Sequence, residues 1–289
     1  MVLQEPTPIS RKKHKNMAIT AADVNKLRQI TGAGMMDCKN ALVEANGDFE
    51  QAIDNLRKKG QKIAAKRADR EATEGAVIAK ANADSTRGVV ISLNCETDFV
   101  AKNDSYLALA NQLADAALAG FPSTKDELLA LPFENGTIAD KLTEQTGVIG
   151  EKIEIAFYEK VEGAFVATYI HSNNKLATAV VLTASAPEAG RDVAMQAAAM
   201  NPVSLNKDSV PAEVLERELE IAREQIRQEG KPEEMVEKIA QGKLNKFFKE
   251  STLVEQEFIK DSKMTVAQYL DSVHKGLAVT DFRRVGLGV

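Results

Sequence analysis

Asn94-Cys95-Glu96-Thr97-Asp98-Phe99-Val100-Ala101-Lys102-Asn103-Asp104 is the stretch in which an apolar strand gives way to an alanine-rich helix. The residues before it, Arg87-Gly88-Val89-Val90-Ile91-Ser92-Leu93, are β-branched and apolar enough for a covered strand. Thr97 reads as an N-cap, which places Phe99 in the first helical turn. A ring there can pack into the core, the commoner fate of phenylalanine. It can also stand exposed beside an acid as a wedge.

Upstream, Gly75 to Ala81 and Gly88 to Cys95 form a hairpin about Asn82-Ala83-Asp84. Downstream, a helix interrupted near Asn103-Asp104-Ser105 buries Leu109, Leu113 and Ala117 and stops at Gly120-Phe121-Pro122. Shorter helical pieces fill Thr124 to Gln145, and Gly147 and Gly150 mark a boundary. A second strand set follows, Ile153 to Val161, Ala164 to His171 and Leu176 to Ala184, and then another alanine-rich helix. Because Leu113 to Pro122 can be laid beside Val193 to Pro202, the order predicts two related subdomains, each a small antiparallel sheet covered on one face by helices.

The N-terminal part is helical. Thr20 caps a helix with Val24, Leu27 and Ile30 on one face, Gly32 stops it, a second helix carries Cys38, Ala41 and Leu42, and Asp48 caps a third that closes at Gly60. Met35 and Met36, adjacent after the glycine turn, cannot both enter so small a core, so one is expected outside, where an adaptable side chain suits a partner. Lys58, Lys59, Lys62, Lys66, Arg67 and Arg70 read as a solvated helix running into a linker.

Leu215, Leu219, Ala222 and Ile226 repeat at coiled-coil spacing, and Gly230-Lys231-Pro232 separates that helix from one carrying Met235, Ile239, Leu244 and Phe247. An antiparallel helical hairpin inserted in the second subdomain is predicted. Met264 to His274 reads as a helix and Asp281 to Val289 as a final strand. The fold class is therefore α+β. The expected domains are a disordered extension at 1–16, with its basic Arg11-Lys12-Lys13-His14-Lys15, a three-helix unit at 17–60, a basic helix and linker at 61–74, one core subdomain at 75–150, and a second at 151–289 containing the hairpin at 211–250.

With 289 residues, 44% hydrophobic and 27% charged, the chain has room for two or three cores. A net charge of −5 argues against general nucleic-acid binding, which needs a basic surface. Two cysteines, Cys38 and Cys95, fit reduced, buried thiols rather than a disulfide framework. No apolar run approaches the ~18 residues of a membrane span and no signal-peptide pattern opens the chain, so a cytoplasmic protein is expected. Phosphate-loop, dinucleotide and zinc signatures are missing, and the three histidines, His14, His171 and His274, stand far apart. Neither a metal nor a cofactor is expected, and the odds shift from an enzyme toward a binding protein.

Two motifs carry a resemblance. Thr97-Asp98-Phe99-Val100-Ala101-Lys102 and, upstream, Thr31-Gly32-Ala33-Gly34-Met35-Met36-Asp37-Cys38-Lys39 stand in order and at the separation found in elongation factor Ts, and the resemblance runs from about Met17 to the C-terminus. It implies an N-terminal bundle like the ubiquitin-associated fold and a guanine-nucleotide exchange factor for the translation GTPase elongation factor Tu, bound in its GDP-bound and nucleotide-free forms. It implies that Thr97, Asp98, Phe99 and Val100 intrude near the partner's Mg²⁺ and phosphate site, that Arg28, Met35 and Met36 grip its nucleotide domain, and that His171 lies near the partner surface. No covalent chemistry, membrane or direct nucleic-acid contact is implied; a homodimer or 2:2 complex is open. The further C-terminal helix of many members does not follow here, so its contact is not expected. Two other readings stay open: a scaffold or RNA-associated protein docking through its bundle and basic segments, and an enzyme using Cys38 or Cys95.

Overall fold

The computed structural model describes residues 19–288, so the expectations for 1–16 and for Met17 lie outside the described residues. The chain divides into two compact units, one of residues up to Ala68 together with Thr143–Gly150, the other of Asp69–Leu142 and Glu151 onward.

In the first unit, Thr20 and Asp23 form a reciprocal capping box that starts α1 (Ala21–Thr31). Gly32, at φ +67°, ends it and donates its N–H to the Arg28 carbonyl at 2.8 Å. Helix α2 (Met35–Glu44) follows, then α3 (Phe49–Arg67), whose Asp48 cap accepts from Gln51 N at 3.0 Å. Val24, Leu27, Ala33, Cys38, Ala41, Leu42, Ala45 and Ala52 close the core.

Three sequence expectations need correction here. Ile30 is exposed rather than on the buried face of α1. Met35 and Met36 are both exposed, because the small residues Ala33 and Cys38 occupy the core at the head of α2. Helix α3 does not close at Gly60 but runs on to Arg67. Gly60 is buried against Gly147, and it is the missing side chain of Gly147 that permits the approach: a Cβ there would lie 2.4 Å from the Gly60 Cα, whereas one on Gly60 would meet nothing closer than 3.6 Å. Gly60 therefore lies at a helix contact within α3 and does not terminate it.

In the second unit, β1 (Glu74–Ala81) and β2 (Arg87–Cys95) form the expected hairpin, in register from Glu74 opposite Cys95 to Ala81 opposite Gly88. Asn82 Oδ1 tightens its turn by accepting from the N–H groups of Thr86 and Arg87, both at 2.9 Å. There follow α4 (Asp98–Ala101), α5 (Asp104–Gly120), α6 (Lys125–Leu129), a two-residue pairing of β3 (Pro132–Phe133) with β4 (Gly136–Thr137), and α7 (Ile138–Ile149), whose last turns belong to the first unit.

Strand β5 (Glu154–Glu162) pairs antiparallel with β2, giving the order β1-β2-β5. It was expected to open the second strand set and instead completes the first sheet. The second sheet has the order β10-β7-β6, from β6 (Phe165–Ile170), β7 (Leu176–Leu182) and the C-terminal β10 (Val279–Gly286). Its outer face carries α8 (Pro187–Met200), through Ala189, Val193, Ala194 and Ala197 against Phe165, Val180 and Leu182. Helix α5 covers β1 and β2. The remaining faces meet each other, Val77, Ala79, Val90 and Val161 against Val166, Ala179, Val181 and Val285. The layers are helix, sheet, sheet, helix. This explains why β2 is buried from Gly88 to Cys95 and reads as an unbroken apolar run.

Helices α9 (Ala212–Gln228) and α10 (Glu233–Ser251) form the predicted hairpin. Ala222 and Ile226 are buried in its seam as expected, but on the second helix Val236 and Ala240 fill it while Met235 is exposed. Leu219 and Ile239 pack against this seam as expected, so the departure is confined to Met235, whose place Val236 takes. Two Arg–Glu pairs bridge the helices outside, Arg223 with Glu237 and Arg227 with Glu233. The chain returns through β8 (Glu257–Phe258), β9 (Asp261–Thr265) and α11 (Val266–Val273) before β10.

Candidate functional site: an aromatic wedge on a one-turn helix

The site begins where β2 ends. Cys95 is buried, its Sγ donating to the Thr97 carbonyl at 3.2 Å, and Tyr106 Oη from α5 donates to the Leu93 carbonyl at 2.7 Å. Burial pushes the Cys95 thiol up to about 11 and raises the Tyr106 phenol further, so both hold their protons. The strand end is thereby pinned from beneath.

Thr97 occupies the N-cap position of α4 with extended φ/ψ, as the sequence predicted, yet its hydroxyl caps nothing. It donates instead to Glu151 Oε1 at 2.6 Å, while Glu151 Oε2 accepts the N–H groups of Glu96 at 3.1 Å and Thr97 at 3.0 Å. Glu96 answers by accepting the Lys152 N–H on its own Oε1 at 2.7 Å. Helix α4 is a single turn, Asp98 to Ala101, closed by Lys102; Asn103 then caps α5 by accepting from Ser105 N at 2.9 Å.

On this turn Phe99 is 84% exposed, with Val100 half-buried and Ala101 buried. Asp98 accepts from Lys102 Nζ at 2.6 Å, one turn on. That hydrogen bond, then the charge of Lys102, hold the Asp98 carboxyl below the usual carboxylate range and raise Lys102. Lys175 adds to the depression of Asp98 and is itself paired with Glu74 at 2.9 Å. The Phe99 ring thus stands in water beside the Asp98–Lys102 ion pair.

His171 is exposed at the end of β6, next to the tight turn 172–174 that packs on β1 and leads into Lys175. Its Nδ1 lies 3.1 Å from Tyr169 Oη. Thr97, Asp98, Phe99 and Val100 are therefore contiguous on α4, and His171 stands on the turn before the lysine that reaches Glu74 and influences Asp98. Arg28, Met35 and Met36 lie in the first unit: Arg28 is exposed in the last turn of α1, and the two methionines are 53% and 64% exposed at the head of α2. Sequence reasoning missed Ile30 and Val43, exposed apolar residues on the same two helices. It also missed Glu151, the group that fixes the loop, because no local pattern marks an acceptor 54 residues away. Among the described residues no group of three His, Cys, Asp or Glu could hold a metal ion, and no helix is long and apolar enough to cross a membrane.

Comparison with known proteins agrees with the motifs. Residues 96–289 match the family model described as elongation factor TS. A protein named elongation factor Ts from Flavobacterium psychrophilum is 61% identical over 273 residues, covering 93% of this chain and 99% of that protein. Those of the same name from Amoebophilus asiaticus and Porphyromonas gingivalis are 54% and 50% identical, each covering 94% of this chain and 100% and 99% of their own lengths.

Proposed function

The chain belongs to the elongation factor Ts family of translation elongation factors, and from that premise we propose that it is a guanine-nucleotide exchange factor for elongation factor Tu. The observation that carries the reading is Phe99, a large ring left in water on a turn whose preceding loop is held by four hydrogen bonds. Asp98 and Phe99 enter the GTPase near its Mg²⁺ and phosphate site. Exchange follows by linkage: a protein that binds the nucleotide-free GTPase more tightly than the GDP-bound form weakens GDP binding by the same factor. Each tenfold loosening requires ~1.4 kcal/mol of differential binding. A buried aromatic anchor supplies on the order of 2 kcal/mol. No covalent step is involved, and no cofactor is needed.

Arg28, Met35 and Met36, with the exposed Ile30 and Val43 of the same two helices, give the three-helix unit adaptable apolar side chains suited to the nucleotide domain of the GTPase. His171 and the second subdomain meet another of its domains, and the helical hairpin is an auxiliary contact. The test is release of a fluorescent GDP analogue from the organism's own elongation factor Tu with this protein at sub-stoichiometric concentration. Catalytic acceleration is expected; no acceleration by the folded protein would leave a binding scaffold as the better reading.

A further inference from the structure

We propose that Glu151 is the positioning residue of the wedge: its carboxylate holds the Glu96–Thr97 backbone extended so that Asp98 and Phe99 are presented in one orientation. This rests on the exchange reading above. A single helical turn holds itself poorly in water, since helix nucleation is unfavourable and α4 closes one turn only, Ala101 N to Thr97 O at 3.3 Å and Lys102 N to Asp98 O at 3.1 Å. The exposed ring adds no anchor, and beneath it buried Ala101 and the Cys95 thiol on the Thr97 carbonyl tie the turn to the sheet. The orientation has to be imposed from outside, and three donors converge on one carboxylate to do so: Glu96 N, Thr97 N and Thr97 Oγ1, at 3.1, 3.0 and 2.6 Å.

The lock is reciprocal. Glu96 takes the Lys152 N–H, so each strand-end segment supplies a carboxylate to the other's backbone. Thr97 gives its hydroxyl to this lock and leaves α4 without a side-chain cap. The cap that the local sequence favours is displaced by a charge-assisted bond to a distant carboxylate, and such bonds are roughly twice as strong as neutral ones. A pre-oriented wedge reaches the transition geometry of exchange without ordering a loop at that moment.

Three proteins are compared: wild type, Glu151→Ala and Glu151→Gln, whose carbonyl oxygen can still accept the two backbone N–H groups. In stopped-flow GDP release, Glu151→Ala is expected to lower the maximal rate about tenfold, with the half-saturating concentration changed less than about threefold, because docking through other surfaces persists. Glu151→Gln recovers most of the rate. Amide hydrogen exchange at Glu96 and Thr97 quickens at least about tenfold in Glu151→Ala, while β1 and β2 amides are unchanged. If Glu151→Ala does not fold, Thr97→Val, which removes the hydroxyl donor alone, takes its place in both measurements.

A full maximal rate in Glu151→Ala with those amides released overturns the proposal. So do equal losses in both variants with half-saturation rising in step, the mark of a merely structural role. If the wild-type protein fails to accelerate release, the exchange reading falls by itself; the clamp is then judged by the amides, whose unchanged exchange in Glu151→Ala overturns it.

Discussion

Phe99 and Cys95 lie four residues apart and show how one loop serves opposite ends. Because the Phe99 ring is exposed, Phe99→Ala should leave the unfolding temperature nearly unchanged, surface substitutions costing within about 0.5 kcal/mol. The same change should slow stimulated GDP release at least about tenfold, as expected for an aromatic anchor; a full rate from the folded variant removes the ring from the mechanism. Cys95 is the reverse, buried and silent. Its folded pKa, about 11, lies above the ~8.5 of an unfolded thiol, so its contribution to stability is complete below pH ~8.5 and is lost as pH rises through about 11. At pH 8 a thiol-directed disulfide reagent should find neither Cys95 nor the buried Cys38 until denaturant is added. Rapid modification of the folded protein would revive a cysteine-based activity. Asp98 titrates in the other direction: lowered in the folded protein, its pairing with Lys102 persists above the unfolded carboxylate value and is lost only as pH falls through the depressed one. Of this loop the sequence disclosed the strand end and the turn; for Phe99 core packing was the commoner expectation, and the structure overturns it by leaving the ring in water. Nor could the sequence disclose what Thr97 bonds, since a threonine before an acid looks like a cap whichever acceptor wins.

Glycines set two helices apart at the level of elements. Gly147 lies against Gly60 in the first unit, where an added Cβ would come within 2.4 Å of backbone. Gly147→Ala should therefore destabilise by about 1–3 kcal/mol, the cost of overpacking. Gly242, exposed in α10, has nothing within 4 Å. Gly242→Ala should instead stabilise by about 0.5–1 kcal/mol through helix propensity alone. Denaturant midpoints of the two variants check both signs, and a neutral Gly147→Ala would mean that the helices separate easily there. A lone glycine near the end of a helical pattern signals a stop as readily as a crossing, which is why α3 looked as if it closed at Gly60. The placement of β5 was hidden for a related reason. Alternating apolar residues declare a strand, and only the tertiary register, Arg87 opposite Glu162 through Asn94 opposite Glu154, declares its partner. In the hairpin seam Ile239 stands where its spacing put it, but Met235 and Val236 are both apolar, and packing rather than composition chose Val236.

Stability should be unevenly distributed over the whole molecule. The second unit buries two facing sheets with a helix layer on each, and its core includes Val90, Leu93, Leu113, Val180 and Leu182. Among the described residues of the first, the buried core cluster has eight members, Val24, Leu27 and Leu42 its largest aliphatic groups and four of them alanines, with Ile19, Phe49, Ile53 and Leu56 partly buried against it. Hydrophobic stabilisation scales with apolar area removed from water, and so small a unit stands near the lower limit for independent stability. The unit that offers Met35, Met36, Ile30 and Val43 to solvent is thus also the one with least to hold it, and a partner that covers those side chains would add stability by mass action. Native-state hydrogen exchange at increasing urea should release the amides of α1, α2 and α3 first, and those of β2 and β7 only with global unfolding. With elongation factor Tu present, protection of α1 to α3 should rise with partner concentration while that of β7 stays at its global value. Simultaneous release of all these amides in the free protein would show the two units unfolding as one, and would leave the partner no selective hold on the weaker.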